Sequence, residues 1–481
     1  MKSVNNFVIV GGGTAGWMTA AAILHEIPHI NITLIDKEKD DAIGVGESTL
    51  LGFEPFLSQT CGFNPKEYLP AIDATLKSGI LFPDWGHDGN VVWHPFYFLW
   101  LYNKIHAPLL CDGWSHFQDE FDFVKFMALY EPSMNNQVDT KQISHSYSYN
   151  IDCKKLVQYI RSQIEDKINF ISSSVLEKND NTLKLANGQE VVGDIFFDCS
   201  GFKSLLKKKQ NRVDLSDRLF CNTAIPSHVE YQNKEHELIP YTFAHCVDHG
   251  WIWRIGLQSR IGTGLVFNRN ITDPEDAKDY FVKYWDNRID RDSLRVIDWT
   301  PYYDRTPWDD NVISIGLSGG FIEPLEAVGI ALLIESITTA INKLQPRWYN
   351  EHDVQSYNLN MVQWFEGCTD FLSMHYDLST KQTKFWEYVR SNYKRSAIQD
   401  FYVKNLDSQQ PSIVPGKGDI FGGVNWTHWL VSLGYKMQPK GYVDRDDLYD
   451  IVKKEWDNHC TDNYTDHATC LEHMNGTQRL A

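Results

Sequence analysis

Residues 6–16 read Asn-Phe-Val-Ile-Val-Gly-Gly-Gly-Thr-Ala-Gly, and this stretch decides how the chain begins to fold. The apolar, β-branched run before the glycines predicts a short buried parallel strand, and the residues after them, 14–27, predict a helix. Gly11, Gly13 and Gly16 have the spacing that permits a tight turn and a close approach of the backbone to a pyrophosphate. The stretch therefore predicts a dinucleotide-binding strand, turn and helix.

The segment that follows supports the same prediction. At the helix start, the backbone N–H groups of Thr14 and Ala15 would face the phosphates. A second apolar strand over residues 30–35 ends at Asp36, where an acid can accept hydrogen bonds from ribose hydroxyls. Strand, helix and strand together predict a βαβ unit that holds a nucleotide.

Two further stretches combine an apolar strand with small residues. Residues 194–201 run from a strand through Asp198 to a glycine, and residues 316–321 form a glycine-rich turn that contains Leu317. A single nucleotide does not need three such turns, whereas FAD is long enough to contact all of them. We therefore predict FAD, with Asp198 and Leu317 among the residues that bind it.

The order of the predicted elements gives the fold class. Strands of the nucleotide-binding sheet occur at the start, in the middle and beyond residue 310, so that domain is discontinuous. We expect an α/β protein with an FAD-binding doubly wound sheet, an inserted mixed or antiparallel sheet and a mostly helical C-terminal lobe. The core would cover residues 1–345, the inserted sheet about 213–310, and the lobe 346–481.

Composition limits the partners and the compartment. The 481 residues carry a formal charge of −18, which disfavours nucleic acid and anionic membranes. No apolar run approaches the length of a membrane span, and the N-terminus does not resemble a signal peptide.

Nine cysteines without a CxxC pair predict free thiols in a reducing cytoplasm and argue against zinc. The many aromatic residues fit either a core of large side chains or a pocket for a flat ligand.

Several motifs resemble one family. The chain is similar to the flavin-dependent halogenases of the tryptophan-halogenase type up to about residue 390, on the stretches GGGTAGWM (11–18), GVGEST (44–49), WIWRI (251–255), EPLEAVG (323–329) and DFLxxHY (370–376). The resemblance implies FAD, a halide ion, molecular oxygen and a small electron-rich aromatic substrate. It also implies cofactor contacts at Ser48, Val175 and Ile330. Because no second dinucleotide domain is evident, reduced FAD should come from a separate reductase. We also expect a homo-oligomer.

The resemblance assigns the catalytic residues. Hypohalous acid would pass through a tunnel to Lys77, which activates it and aims it at the substrate. Glu326 would act beside the lysine, orienting the halogenating species or accepting the proton that the substrate loses. The backbone amides of Val328 and Gly329 would bind the halide.

This chain departs from the family at the halide segment. The usual Glu-Ser-Thr-Gly is Glu326-Ala327-Val328-Gly329 here, so two hydroxyls are lost while the backbone donors remain. We hypothesise that this less polar site favours bromide or iodide over chloride.

A second departure lies in the tryptophan motif. Trp251 and Trp253 are expected to keep the substrate away from the flavin, and their spacing puts both on one face of a strand. The proline that usually ends this motif is Gly256 here, which could loosen the strand. His94 and Phe96 are candidates for a wall of the substrate pocket, with His94 expected to be packed or hydrogen-bonded rather than catalytic.

Two other functions stay open at this point. An FAD-dependent aromatic hydroxylase, a monooxygenase, shares the cofactor architecture, and a weakened tryptophan motif would favour it. Such a hydroxylase has no evident need for Lys77 or for the EPLE segment. A non-catalytic flavoprotein would leave an electrophile trap unchanged in the presence of reduced FAD and bromide.

Overall fold

The structure is a computed structural model that describes residues 2–37, 46–96, 136–140, 147–207, 211–405, 420–435 and 464–475. The chain folds into two compact units, each built from three stretches of sequence. The first unit comprises residues 1–74, 151–216 and 300–366. The second comprises residues 75–150, 217–299 and 367–481.

The first unit is organised by a six-stranded sheet. Its strands, in spatial order, are Asn169–Ser172, Asn31–Asp36, Asn6–Val10, Ile195–Asp198, Val312–Ser314 and Trp308–Asp309. The first five pair in parallel, and the last is an antiparallel edge strand. Its central strands are continuous apolar runs and are almost fully buried, as expected where both faces of a parallel sheet are covered. The strands predicted before the glycines and over residues 30–35 agree with the observed strands Asn6–Val10 and Asn31–Asp36 within one residue.

Helices and small sheets complete this unit. The helices are Thr14–Glu26, Phe53–Pro55, Pro65–Ala71, Cys153–Ile164 and Val328–Leu344, with a π-helical turn at Phe56–Thr60. One antiparallel sheet contains Val175–Asn179, Thr182–Leu185 and Glu190–Val192, and a second contains Arg212–Asp214, Tyr302–Asp304 and Gly320–Phe321. Lys2–Ser3 pairs with Trp348–Tyr349, and a short strand covers Glu47–Ser48.

The second unit is organised by a seven-stranded mixed sheet. Its strands, in order, are Ile297–Asp298, Thr223–Val229, Ile261–Phe267, Gly250–Gly256, Thr242–Val247, Gly79–Pro83 and Val91–Pro95. All neighbours are antiparallel except Thr242–Val247 and Gly79–Pro83, which run parallel. Leu265, Phe267 and Ile252 form a core with Phe281 of helix Pro274–Tyr284. The inserted sheet is therefore present, but it gains two strands from residues that precede it by more than a hundred positions.

Short strands and helices surround this sheet. Thr75–Lys77 pairs with Ser148–Ile151, and Gln137–Asp139 pairs with Tyr464–Asp466. The helices are Lys234–Glu237, Lys384–Asn392, Ala397–Asn405, Gly423–Ser432 and His467–Met474, and the long helix Glu351–Met374 begins in the first unit. Within the described ranges, no helix has the length and apolar character needed to cross a membrane.

The compact units divide the chain at other positions than the predicted domains. The described residues between 75 and 150, expected in the core, belong to the second unit, because the strands Gly79–Pro83 and Val91–Pro95 extend the seven-stranded sheet. Residues 346–366, expected in the lobe, pack with the first unit.

Candidate active site

The first glycine-rich turn is fixed by the packing of its own backbone. Gly11 has φ +112°, and a Cβ there would stand 2.3 Å from the carbonyl oxygen of Cys199. A Cβ on Gly16 would stand 1.8 Å from the carbonyl oxygen of Gly11. The Gly11 N–H donates to Ile35 O at 2.9 Å, which ties the turn to the neighbouring strand. Both glycines are therefore required by the protein itself, whatever the turn binds.

Gly13 differs from its two neighbours in the motif. Its φ is −79°, which any residue adopts, and no described atom lies within 4 Å of the position that a Cβ would take. The helix Thr14–Glu26 begins there with no side-chain cap and no acidic residue in its first turn. Gly12 lies against the carboxyl group of Asp36, since a Cβ on Gly12 would be 2.6 Å from Asp36 Oδ2. Backbone donors, a helix start and an acid beside them are the groups that fit a pyrophosphate and a ribose.

The two other glycine-rich turns meet the first. Gly316 has φ +67°, and a Cβ there would lie 3.2 Å from Cβ of Ala15. The Asp198 carboxylate accepts hydrogen bonds from the N–H groups of Ser200 (3.1 Å) and Leu206 (2.9 Å), while burial raises its pKa. Leu317 is 39% exposed. Asp198 thus braces its turn with its side chain, whereas the side chain of Leu317 is partly exposed, and the contacts of both residues with FAD stay a prediction.

The remaining predicted cofactor residues also belong to this unit. Val175 packs against the cluster that contains Val8 and Ile35 of the central strands. Ser48 is buried in the short strand Glu47–Ser48, and Ile330 is buried in the first turn of helix Val328–Leu344. Their contacts with FAD stay a prediction.

A carboxyl group that the sequence analysis did not single out lies near the first turn. Burial raises the pKa of Glu47 to about 7. The pKa of the Cys153 thiol is raised mainly by burial and next by the carboxylate of Glu47. A hydrogen bond with the Thr14 side chain partly offsets this rise. Glu47 lies within the GVGEST stretch, so its motif is evident in the sequence, but the sequence does not predict its burial.

The halide segment forms the start of a helix. Glu326 is buried, with 1% of its surface exposed. Ala327 adopts a left-handed conformation with φ +60°, and helix Val328–Leu344 follows without a side-chain cap. Val328 is fully buried, whereas Gly329 is exposed and has no described atom within 4 Å of a Cβ position. This arrangement presents backbone N–H groups and an apolar side chain, as the segment Glu326-Ala327-Val328-Gly329 predicts.

Lys77 is fully buried at the end of strand Thr75–Lys77. Its Nζ lies 5.0 Å from the centre of the Phe96 ring, which is a cation–π distance. The Phe96 N–H donates to Ser78 O at 2.9 Å, and Ser78 itself donates to Pro240 O through its N–H (2.8 Å) and its hydroxyl (2.9 Å). The structure thus brings the predicted lysine and the predicted aromatic wall residue together.

The segment before Lys77 is held by distant parts of the same unit. The Thr75 hydroxyl donates to Gly256 O at 2.6 Å. The Leu76 N–H donates to Nε2 of His467 at 3.2 Å, and Nδ1 of His467 lies 3.2 Å from Leu238 O. Burial lowers the pKa of His467 to about 4. The ring is therefore neutral at physiological pH, accepting at Nε2 and donating at Nδ1.

This histidine should make stability depend on pH. Above about pH 6.5 the ring is neutral in both the folded and the unfolded chain. As the pH falls from 6.5 towards 4, only the unfolded chain takes up the proton, so folded stability is lost. When the pH is lowered from 7.5 to 4.5, the free energy of unfolding should fall in both proteins. The fall should be larger in wild type than in His467→Gln, by about 2 to 3 kcal/mol. Urea titrations of both proteins would measure this, and parallel pH profiles would contradict the assignment.

The two tryptophans lie on one face of a central strand, as predicted. The ring centres of Trp251 and Trp253 are 6.2 Å apart, and Trp253 covers Gly264 of the next strand. Gly256 ends the strand in register with Ile261, and its carbonyl accepts the Thr75 bond. Whether glycine in place of proline loosens this strand stays a prediction. The role of these tryptophans as a barrier stays a prediction.

His94 is packed and hydrogen-bonded, as expected. Its Nε2 lies 2.9 Å from the Asn425 side-chain oxygen, and its ring stacks on His428 with centres 5.9 Å apart. The rings of Phe371 and Phe421 lie nearby. The His94 ring is thus part of an aromatic cluster, and its place in the wall of a substrate pocket stays a prediction.

Solved structures with this fold define the class of protein. A tryptophan halogenase from Shewanella frigidimarina matches with a TM-score of 0.86 at 24% identity, over 99% of this chain and 98% of its own. A flavin-dependent halogenase from Brevundimonas sp. BAL3 matches with a TM-score of 0.80 at 25% identity, over 98% and 99%. The fold class predicted from the sequence is confirmed, and it is that of the flavin-dependent halogenases.

The sequence places the chain within that class. The profile of the tryptophan halogenase family matches residues 6–448, and the chain belongs to this family. A tryptophan 6-halogenase of Streptomyces albogriseolus is 26% identical over 91% of this chain and 90% of its own length. A tryptophan 7-halogenase of Lentzea aerocolonigenes is 25% identical over 84% and 81%. The protein is thus an enzyme of the oxidoreductase type, and the family implies FAD, halide and oxygen.

Proposed function

We propose that this enzyme halogenates a small, free, electron-rich aromatic compound by delivering hypohalous acid through Lys77. The observation that carries the proposal is the fully buried lysine, whose ammonium group faces the Phe96 ring from a strand held on both sides. Reduced FAD would be supplied by a separate reductase. When bound, reduced FAD would supply two electrons to molecular oxygen, which would supply the oxidising equivalents that convert halide into hypohalous acid.

Lys77 would activate this acid by donating a proton. The halogen is transferred as a cation to the aromatic carbon, and the oxygen leaves as water with the proton from Nζ. Burial of the amine excludes bulk water, which would otherwise compete for the electrophile. A neighbouring ring such as Phe96 favours an ammonium donor at this position.

Glu326 would take part as a base. Forming the new carbon–halogen bond requires that the same carbon lose its proton, and a buried carboxylate can accept it. The left-handed Ala327 fixes the direction in which the chain leaves Glu326 before the helix begins. Lys77 then regains one proton and Glu326 releases one, so both residues return to their starting protonation states.

A panel of phenols, anilines and indoles, including tryptophan, tests the proposal. Tryptophan belongs in the panel because relatives are named for acting on it. Purified enzyme, FAD, a flavin reductase and each halide should give a halogenated product that mass spectrometry detects and that requires the halide. A hydroxylated product that forms without halide would indicate the hydroxylase instead. No change of any acceptor, including an electrophile trap, would indicate a non-catalytic flavoprotein.

The halide segment should favour softer ions. Val328 presents a buried apolar side chain where the family usually has a hydroxyl, so a strongly hydrated chloride ion loses more on entering. With equal chloride, bromide and iodide, we expect brominated or iodinated product to exceed chlorinated product about tenfold, or about 1.4 kcal/mol. Val328→Thr should raise the chlorinated share, and Val328→Ile, which restores no hydroxyl, is the control. Dominant chlorination by wild type would contradict the hypothesis.

A further inference from the structure

His467 closes the open edge of the strand that carries Lys77. Among the strands that the structure describes, Thr75–Lys77 pairs on one side, with Ser148–Ile151. On the other side, the Leu76 N–H is satisfied by the His467 ring, which comes from a helix 391 residues further along the chain. The ring is fully buried. A strand edge inside a protein needs such a partner, because an unpaired buried N–H is strongly unfavourable.

The second nitrogen of the His467 ring contacts the segment that also holds Ser78. Nδ1 of His467 donates to Leu238 O, and Ser78 donates twice to Pro240 O. The residues on both sides of Lys77 are thereby fixed to the same short stretch, 238–240. One connection runs directly from Ser78, and the other runs from Leu76 through the imidazole.

We propose that His467 is a positioning residue for Lys77, acting through the backbone of Leu76. The proposal rests on the proposed role of Lys77. A neutral imidazole accepts at one nitrogen and donates at the other across a rigid ring, which is what a bridge between an N–H and a carbonyl requires. Lys77 adjoins Leu76, so a shift of the strand edge moves the amine relative to the electrophile. Effective catalysis depends on such placement to within about 1 Å.

Two variants and one control test the proposal. His467→Leu removes both hydrogen bonds, and His467→Gln keeps an acceptor for the Leu76 N–H. Leu471→Ala is the control, because Leu471 is buried on the same helix, His467–Met474, and makes no hydrogen bond with Leu76. All three proteins are compared as full chains with FAD, a reductase, oxygen, bromide and an aromatic substrate that wild type brominates.

The main measurement is the yield of brominated product per reduced flavin consumed, together with free hypobromous acid caught by a monochlorodimedone trap. In His467→Leu the yield should fall roughly ten- to a hundredfold while flavin consumption is unchanged and trapped acid rises. His467→Gln should restore part of the yield. Leu471→Ala should keep the wild-type yield even if its stability falls.

Amide hydrogen exchange at Leu76 gives a reading that is independent of activity. Exchange should be faster in His467→Leu and close to wild type in Leu471→Ala. If His467→Leu keeps the wild-type yield, or if Leu471→Ala loses yield to the same degree, the positioning role is overturned. If wild type itself brominates nothing, the proposed function fails, and the exchange measurement still decides whether the bridge exists.

Discussion

Lys77→Met is expected to lower halogenation by at least about a thousandfold while leaving FAD binding intact. Methionine has nearly the length of lysine, so the packing beside Phe96 is retained and only the amine is lost. The Lys77 side chain is fully buried, so removing it should not alter the surface. Mass spectrometry should therefore show almost no halogenated product, while absorbance shows that reduced flavin is still consumed.

A matched control makes this result specific. Lys278→Met introduces the same change in the same unit, on the helix Pro274–Tyr284, where Lys278 pairs with Glu275. We expect normal halogenation from it. Glu326→Gln should lower the rate by about a hundredfold, since the water released from hypohalous acid can still accept the proton in place of the missing base. Full activity in Lys77→Met would contradict the delivery of hypohalous acid through this residue.

The glycine fingerprint yields the second large effect. Gly13→Ala should fold normally, with its unfolding free energy changed by less than about 1 kcal/mol, because no described atom meets the new methyl group. The methyl group would nevertheless stand where a pyrophosphate approaches the helix start. We therefore expect the FAD dissociation constant to rise about a hundredfold, or about 2.7 kcal/mol, in a fluorescence titration.

Gly16→Ala is the contrasting variant. Its methyl group would lie 1.8 Å from the carbonyl oxygen of Gly11, so the turn itself must deform. We expect both FAD binding and folded stability to be lost, by roughly 3 kcal/mol or more. Wild-type affinity in Gly13→Ala would show that the pyrophosphate does not use this helix start.

The features predicted from the sequence are those that neighbouring residues encode. Strand Asn6–Val10 and the turn to Gly16 follow from an apolar run and from glycines whose packing partners belong to the same unit. The antiparallel pairing of Gly250–Gly256 with Ile261–Phe267 follows from two strand-forming runs joined by a short turn. Each of these depends on side-chain period and turn chemistry, which act over a few residues.

The features that escaped prediction depend on distant pairings. The strands Gly79–Pro83 and Val91–Pro95 join a sheet whose other members begin at Thr223, and no local pattern specifies that partner. His467 contacts Leu76 across 391 residues and has no motif around it. The burial that raises the pKa of Glu47 is likewise a property of the packed unit and not of the GVGEST stretch.

The bridge from His467 to Leu76 and Leu238 restricts how this enzyme can be recombined with its relatives. A chimera that takes residues 367–481 from a relative without this histidine would lose the imidazole while keeping its two backbone partners. Such a hybrid would combine the C-terminal residues of the relative with a misaligned amine. Crossovers should therefore keep residues 75–78, 238–240 and 464–475 from one parent, even though they lie far apart in the gene.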